Sequence, residues 1–324
     1  MTSVLRDIQA PVVDDLRRVA EEMWRIVAVD SPLVQDVNEH LMLMKGKMVR
    51  PTLLLLSSGV EGTPQPRAAT LAAVAELIHL ATLVHDDAVD HSVLRRGMPT
   101  INALFSHQVS VIMGDFLYSR ALAELVRLGD LEPLAVFTAA SNELTLGEMR
   151  QLAAIDALSF TEDDYQVLIR AKTASLFSAS CEVGALCGSL RHRTALTRFG
   201  ERLGMAFQVA DDLLDYTEAQ ETIGKPTGLD LREHKVTLPL IAALRSMSPA
   251  ARARVEQLFA EAAPSDGLIA DVVEIVRDQG GLDYARRRGE EYAQQAEEAL
   301  QALPQSAVRA SLQDTIAYVM DRRF

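Results

Sequence analysis

The chain has 324 residues, of which 48% are hydrophobic and 5% aromatic, and its formal net charge is −13. A large core is affordable, while the acidic balance excludes a nucleic-acid surface, which needs a basic stripe to neutralise phosphates. The two cysteines, Cys181 and Cys187, share one small-residue helical run, which excludes a disulfide framework and leaves a reducing cytoplasm as the expected compartment.

Sparse Gly and Pro, recurrent Ala, Leu, Glu and Arg, and the lack of low-complexity segments predict one all-α domain over residues 1–324. The N-terminus carries early acids and no apolar h-region, so no signal peptide is expected. Glu76 and His79 interrupt the most apolar run, so no integral membrane segment is expected either.

Val12, Val13, Leu16, Val19, Met23 and Ile26 fall at helical spacing and predict a first helix over residues 8–29, ending before Ser31-Pro32. A second helix begins near Leu33 and is interrupted at Lys45-Gly46-Lys47-Met48-Val49-Arg50-Pro51. Pro51 suits the first turn of the next helix, over 52–58, which sets Lys47 and Arg50 near a helix N-terminus, a sensible place for a phosphate. An exposed basic turn accounts for the segment equally well.

A long helix over residues 67–91 ends in Asp86-Asp87-Ala88-Val89-Asp90, followed by Arg95, Arg96 and the helix-breaking Gly97-Met98-Pro99. The i, i+4 spacing puts Asp86 and Asp90 on one face, where they repel each other and oppose the helix dipole unless cations offset them. Carboxylate oxygens are the ligands Mg²⁺ prefers, and arginine forks match phosphate geometry. The stretch reads as a grip for a metal-bound diphosphate. His79 lies about two turns before Asp86, within reach of a substrate phosphate, although a lone helical histidine is usually structural.

Thr100 is the expected N-cap of a helix over 101–107, and another runs through Gly114 to Leu128, the glycine implying close helix packing. Helices over 131–154, containing Gly147-Glu148-Met149-Arg150-Gln151, and over 164–187 follow. Lys172 sits inside the latter, where it needs an anionic partner such as the acidic clusters with their phosphates; a lysine snorkelling to the surface is the alternative. Then Gln208-Val209-Ala210-Asp211-Asp212-Leu213-Leu214-Asp215 repeats the D-D-x-x-D spacing. A single such cluster is most often a solvated acidic face, but both copies lie in apolar helical sequence, where unpaired charge is costly. A long Gly-containing loop over 223–235 brings Lys225 and Lys235 to close over a site, and beyond Pro239 only amphipathic scaffold helices follow, such as that over 282–303.

Taken together, G-K-x-x-R-P, D-D-x-x-D-x-x-x-x-R-R-G-x-P-T, G-E-x-x-Q, K-T-A-x-L-F, F-Q-x-x-D-D-x-x-D and a G-K-x-x-G-x-D-L loop, in this order, resemble the trans-isoprenyl diphosphate synthases of the polyprenyl synthetase type. The resemblance covers nearly the whole chain. It implies an all-α single-domain bundle around a deep central cavity, with the acidic clusters facing each other at its mouth, and a homodimer. It further implies three Mg²⁺ held by Asp86, Asp90 and Asp211, with Asp87, Asp212 and Asp215 contributing directly or through water. Arg95, Lys172, Lys225 and Lys235 would hold the allylic diphosphate, and Lys47, Arg50, His79 and Arg96 would bind isopentenyl diphosphate. Gln208 and the backbone near Thr173 would face the allylic cation.

Family members with short products carry an aromatic floor near the position of Ala81. Here Ala81 and Thr82 are small and the first cluster lacks the two-residue insertion of many bacterial farnesyl synthases, so a hexaprenyl to decaprenyl product is expected, with peripheral membrane contact for its release. A shorter farnesyl or geranylgeranyl product is the alternative; a class I terpene cyclase would not need Lys47, Arg50 and Arg96, and a noncatalytic partner subunit would not need both clusters intact. Three residues depart from the family pattern: Lys45 and Met48 near the first phosphate motif, and His234 where a Gly usually precedes Lys235.

Overall fold

The computed structural model of the chain describes residues 3–44, 46–95, 97–153, 157–217 and 228–321. Lys45, Arg96 and Lys225 lie outside the described residues, as do residues 322–324. Apart from loops and one short hairpin, the described backbone is helical, so the fold class is all-α. It gathers into two compact units, the first within Met1–Asn142, Leu176–Gly200 and Leu300–Asp314, the second within Glu143–Ser175, Glu201–Ala299 and Thr315–Phe324.

In the first unit the predicted N-terminal helix is divided. α1 (Ser3–Gln9) gives way to a 3₁₀ turn (Ala10–Val12) and then α2 (Val13–Val27), with Pro11 in the turn removing one backbone donor. α3 (Pro32–Leu43) and α4 (Val49–Ser58) follow; α4 starts from Met48, whose φ of 52° sets the sharp entry. α5 (Arg67–Val89) is apolar on all sides and is accordingly the core helix, packed on α2 and α4. By length and composition it passes for a membrane span, but 78% of its most apolar window is buried in protein.

After α5 the chain turns at His91 (φ 51°) into an antiparallel hairpin, β1 (Leu94–Arg95) against β2 (Met98–Pro99). α6 (Ile101–Leu104) is shorter than its sequence predicts, and the Thr100 hydroxyl donates to the Ser92 carbonyl at 2.7 Å instead of capping it. α7 (His107–Leu128), capped by Ser106 and stopped by Gly129 in the left-handed region, packs along α5. Gly114 is what allows that approach: a Cβ there would lie 2.3 Å from His85 Nε2.

α8 (Leu131–Ala153) carries the chain into the second unit. α9 (Glu162–Ile169) opens on a capping box between Thr161 and Asp164. The single helix predicted over 164–187 is in fact interrupted by a π-turn, Arg170–Ala174, before α10 (Ser175–Leu186). α11 (Arg193–Thr217) follows. The predicted loop over 223–235 contains a helical turn, α12 (Leu229–Arg232). α13 (Leu238–Leu244), α14 (Pro249–Ala260), α15 (Asp266–Asp278) and α16 (Gly281–Leu300) surround a core that includes Tyr216, Leu231, Leu240, Val255 and Val272. α17 (Ala307–Met320) ends the described helices.

Candidate functional site

The first acidic cluster occupies the last turn of α5, and its three carboxylates differ in surroundings. Asp87 is 4% exposed, and Arg95 Nε donates to both of its oxygens at 2.9 Å. The hairpin explains this contact, because it folds the chain back so that Arg95, eight residues on, returns to the helix it left. Asp86 is half-buried and Asp90, the C-cap, is exposed. Buried Asp87 is thus satisfied by a protein cation, while the pair at i and i+4 faces outward.

Elsewhere in this unit, Lys47 is exposed and Arg50 lies in the first turn of α4, as expected of residues at a helix N-terminus. The Arg50 guanidinium stacks 4.9 Å from the Phe177 ring centroid, a cation–π contact that gives the aromatic of K-T-A-x-L-F a role. Gln9 braces the same turn by donating to the Lys47 carbonyl at 3.1 Å and to Thr52 Oγ1 at 2.9 Å, a contact across 38 residues that no local motif announces. His79 is half-buried, Ala81 is buried, and the Thr82 hydroxyl donates to the His79 carbonyl at 2.8 Å.

In the second unit the corresponding cluster lies on α11. Asp211 is exposed, but Asp212 is 5% exposed and has both oxygens engaged: the Tyr165 hydroxyl donates to Oδ2 at 2.5 Å and Gln208 Nε2 to Oδ1 at 2.7 Å. Gln208 in turn accepts from the Thr173 hydroxyl at 2.6 Å. The Asp215 oxygens accept the backbone N–H groups of Leu229 and Asp230, each at 3.0 Å, so Asp215 caps α12 from a distance in sequence. Burial pushes the Asp212 carboxyl up to about 7 against the pull of Tyr165 and Gln208, and burial likewise raises Asp215 and Asp230, with the neighbouring carboxylates adding to the effect.

Lys172 finds its anionic partner in Glu148 of the G-E-x-x-Q segment, at 2.6 Å, with Gln151 accepting at 3.4 Å. Gly147 admits this contact, since a Cβ there would lie 3.1 Å from that of Ala171 in the π-turn. Lys235 pairs with Glu233 at 2.7 Å, and its backbone N–H donates to the Asp230 carbonyl. His234 keeps the left-handed backbone (φ 55°) that a glycine would adopt there, with its ring held against the Leu258 and Glu261 carbonyls.

This donor set fits a hard divalent cation. Oxygen ligands of repelling carboxylates gain from a nearby positive charge, and Mg²⁺ takes one or two carboxylates together with water and substrate phosphates. Among the described residues no group of three or more His, Cys, Asp and Glu side chains forms a cage unaided, which Mg²⁺ does not require. Sequence reasoning passed over Tyr165 and Gln9 and assigned Glu148 no role, because their partners lie 47, 43 and 24 residues away along the chain.

Three comparisons bear on this arrangement. Residues 31–276 match the family model described as polyprenyl synthetase. An all-trans-nonaprenyl-diphosphate synthase (geranyl-diphosphate specific) from Rhodobacter capsulatus is 39% identical over 319 residues, 98% of each chain. Among solved structures, a decaprenyl diphosphate synthase from Rhodobacter capsulatus superposes with a TM-score of 0.93 at 36% identity, covering 98% of this chain and 99% of that one. A polyprenyl synthase from Caulobacter crescentus CB15, complexed with calcium and isoprenyl diphosphate, has the same TM-score at 32% identity, covering 99% and 98%.

Proposed function

The chain belongs to the polyprenyl synthetase family, and on that premise we propose that it condenses isopentenyl diphosphate with farnesyl or geranylgeranyl diphosphate into a long all-trans polyprenyl diphosphate. The observation that carries the reading is the division of labour repeated in both acidic clusters. In each, the first aspartate (Asp86, Asp211) is accessible, while the second (Asp87, Asp212) is buried and hydrogen-bonded within the protein. A solvated acidic face would show no such sorting.

The family's enzymes depend on Mg²⁺, and here Asp86, Asp90 and Asp211 would hold it, three ions in all, with Asp212 and Asp215 acting through water. Bound Mg²⁺ supplies Lewis-acid charge to the diphosphate leaving group. Arg95, Lys172, Lys225 and Lys235 orient the allylic diphosphate and stabilise its departing charge. Lys47, Arg50, His79 and Arg96 hold isopentenyl diphosphate by its phosphates. As the allylic C–O bond breaks, Gln208 and Thr173 present oxygens to the positive carbon, and the isopentenyl double bond attacks it. The departing diphosphate takes the proton, so the protein needs no dedicated base.

Long products follow from the small side chains Ala81 and Thr82 on α5, which leave the growing chain unblocked there. α7 exposes Val111, Ile112 and Val126, the last two each 67% exposed, and a second copy of the chain covers this face in a homodimer. Both cysteines are free thiols, which suits a reducing cytoplasm, and peripheral membrane contact serves product release.

The test is to incubate the purified chain with Mg²⁺, labelled isopentenyl diphosphate and each short allylic diphosphate in turn, and to size the products. Products beyond geranylgeranyl length are expected, and Ala81→Phe shortens them. A product ending at farnesyl or geranylgeranyl would keep the reaction but place a floor on another helix; no elongation would sink the reading.

A further inference from the structure

Tyr165 lies outside the motifs that carry the resemblance, yet its fully buried hydroxyl ends on Asp212 Oδ2 at 2.5 Å. It is one end of a continuous chain: Tyr165 donates to Asp212, Gln208 donates to the other Asp212 oxygen, and Thr173 donates to Gln208 Oε1. A glutamine amide can flip, and only its partners decide which end faces where. Here Tyr165 takes one Asp212 oxygen and Gln208 Nε2 reaches the other, which leaves Oε1 turned toward the Thr173 hydroxyl.

The π-turn makes this geometry reachable. In an uninterrupted α-helix, residues seven apart share a face and residues eight apart are turned by about 80° from each other. Arg170–Ala174 inserts one residue into that count, so Thr173, eight after Tyr165, comes back to the face Tyr165 occupies. Both then meet α11 one turn apart, Tyr165 at Asp212 and Thr173 at Gln208. The start of α9 is itself clamped: Glu162 accepts from Arg245 at 2.6 Å, Tyr284 at 2.7 Å and Arg288 at 3.1 Å. This anchors the helix that carries Tyr165.

We propose that Tyr165 is a positioning residue for the condensation: through Asp212 it locks the Gln208 amide, and so aims the Gln208 and Thr173 oxygens at the developing positive carbon. It touches no substrate. The proposal rests on the prenyl-transfer reading above, in which those two oxygens face the cation.

The decisive experiment is a double-mutant cycle with Tyr165→Phe and Gln208→Ala, reading kcat, the KM of each diphosphate and Tm. Tyr165→Phe alone lowers kcat about tenfold, the worth of one hydrogen bond to a charged group, with both KM values within about twofold of wild type. In the Gln208→Ala background the same change lowers kcat no further, because the amide it positions is gone. An equal loss in both backgrounds, a loss confined to KM, or no loss at all would overturn the proposal. Should Tyr165→Phe fail to fold, Tyr165→His, which keeps a ring N–H for Asp212, takes its place in the cycle, and an equal loss in both Gln208 backgrounds would overturn the proposal. Active wild type with an unaffected Tyr165→Phe variant refutes this inference alone, whereas wild type without turnover refutes the parent reading and this one with it.

Discussion

Residues of one type perform different tasks within five positions of each other. Asp211 is exposed, and its charge adds to the burial that raises the carboxyls of Asp212 and Asp215, whereas Asp215 accepts two backbone N–H groups of α12. Opposite signatures follow for the two. Asp211→Ala removes a like charge from a crowded site, so Tm holds or rises while turnover falls by about 10³-fold, as for other groups that stabilise transition-state charge. Asp215→Ala strips a cap from two backbone donors and destabilises by about 1–2 kcal/mol. Thermal melts alongside turnover decide it, and a matched fall in Tm for both would mean that Asp211 is structural. Likewise Asp87, bound by Arg95, and Lys172, bound by Glu148, show that the motif residues fall into those facing outward and those holding them in place.

At the level of elements, the departures from regular helix coincide with the site. The π-turn aligns Thr173 with Tyr165, the hairpin returns Arg95 to Asp87, and left-handed residues at Met48, His91 and His234 set the ends of α4, α5 and α12. A non-glycine residue in that region carries roughly 1–2 kcal/mol of strain. At His234 the ring is retained by the Leu258 and Glu261 carbonyls, which offset part of that strain. Met48 has no side-chain capping bond to α4. Met48→Gly is therefore expected to stabilise the protein by up to about 1 kcal/mol, seen as a higher urea midpoint. An unchanged or lower midpoint would show that packing of the methionine outweighs the relief.

For the whole molecule, two consequences are measurable. Glu124 is held below its ordinary value by Arg127, against burial, with help from Arg25, and Glu22 is lowered chiefly by Arg25. Their folded pKa values lie below the unfolded value near 4.5, so their contribution is complete above that pH and disappears as pH falls through the folded values. Their share of the urea midpoint is lost below about pH 4, so the midpoint of Glu124→Gln should fall less steeply there than that of the wild type. Ile112→Glu, on the apolar face of α7, should convert the proposed dimer to monomer in sedimentation; a mass equal to that of the wild type would exclude that face as the contact. The amino-acid order alone determined the helical class and the pairing of the acidic clusters, because apolar periodicity and i, i+4 spacing are local properties. Tertiary structure alone decided which aspartates are accessible and which are spent on Arg95, Tyr165 or the backbone of α12. It also decided that Lys172 meets Glu148, and that one predicted helix bends through a π-turn. The physical reason is that burial and hydrogen-bond partners come from residues tens of positions away, and no local pattern of charge or hydropathy encodes which of them the fold will bring together.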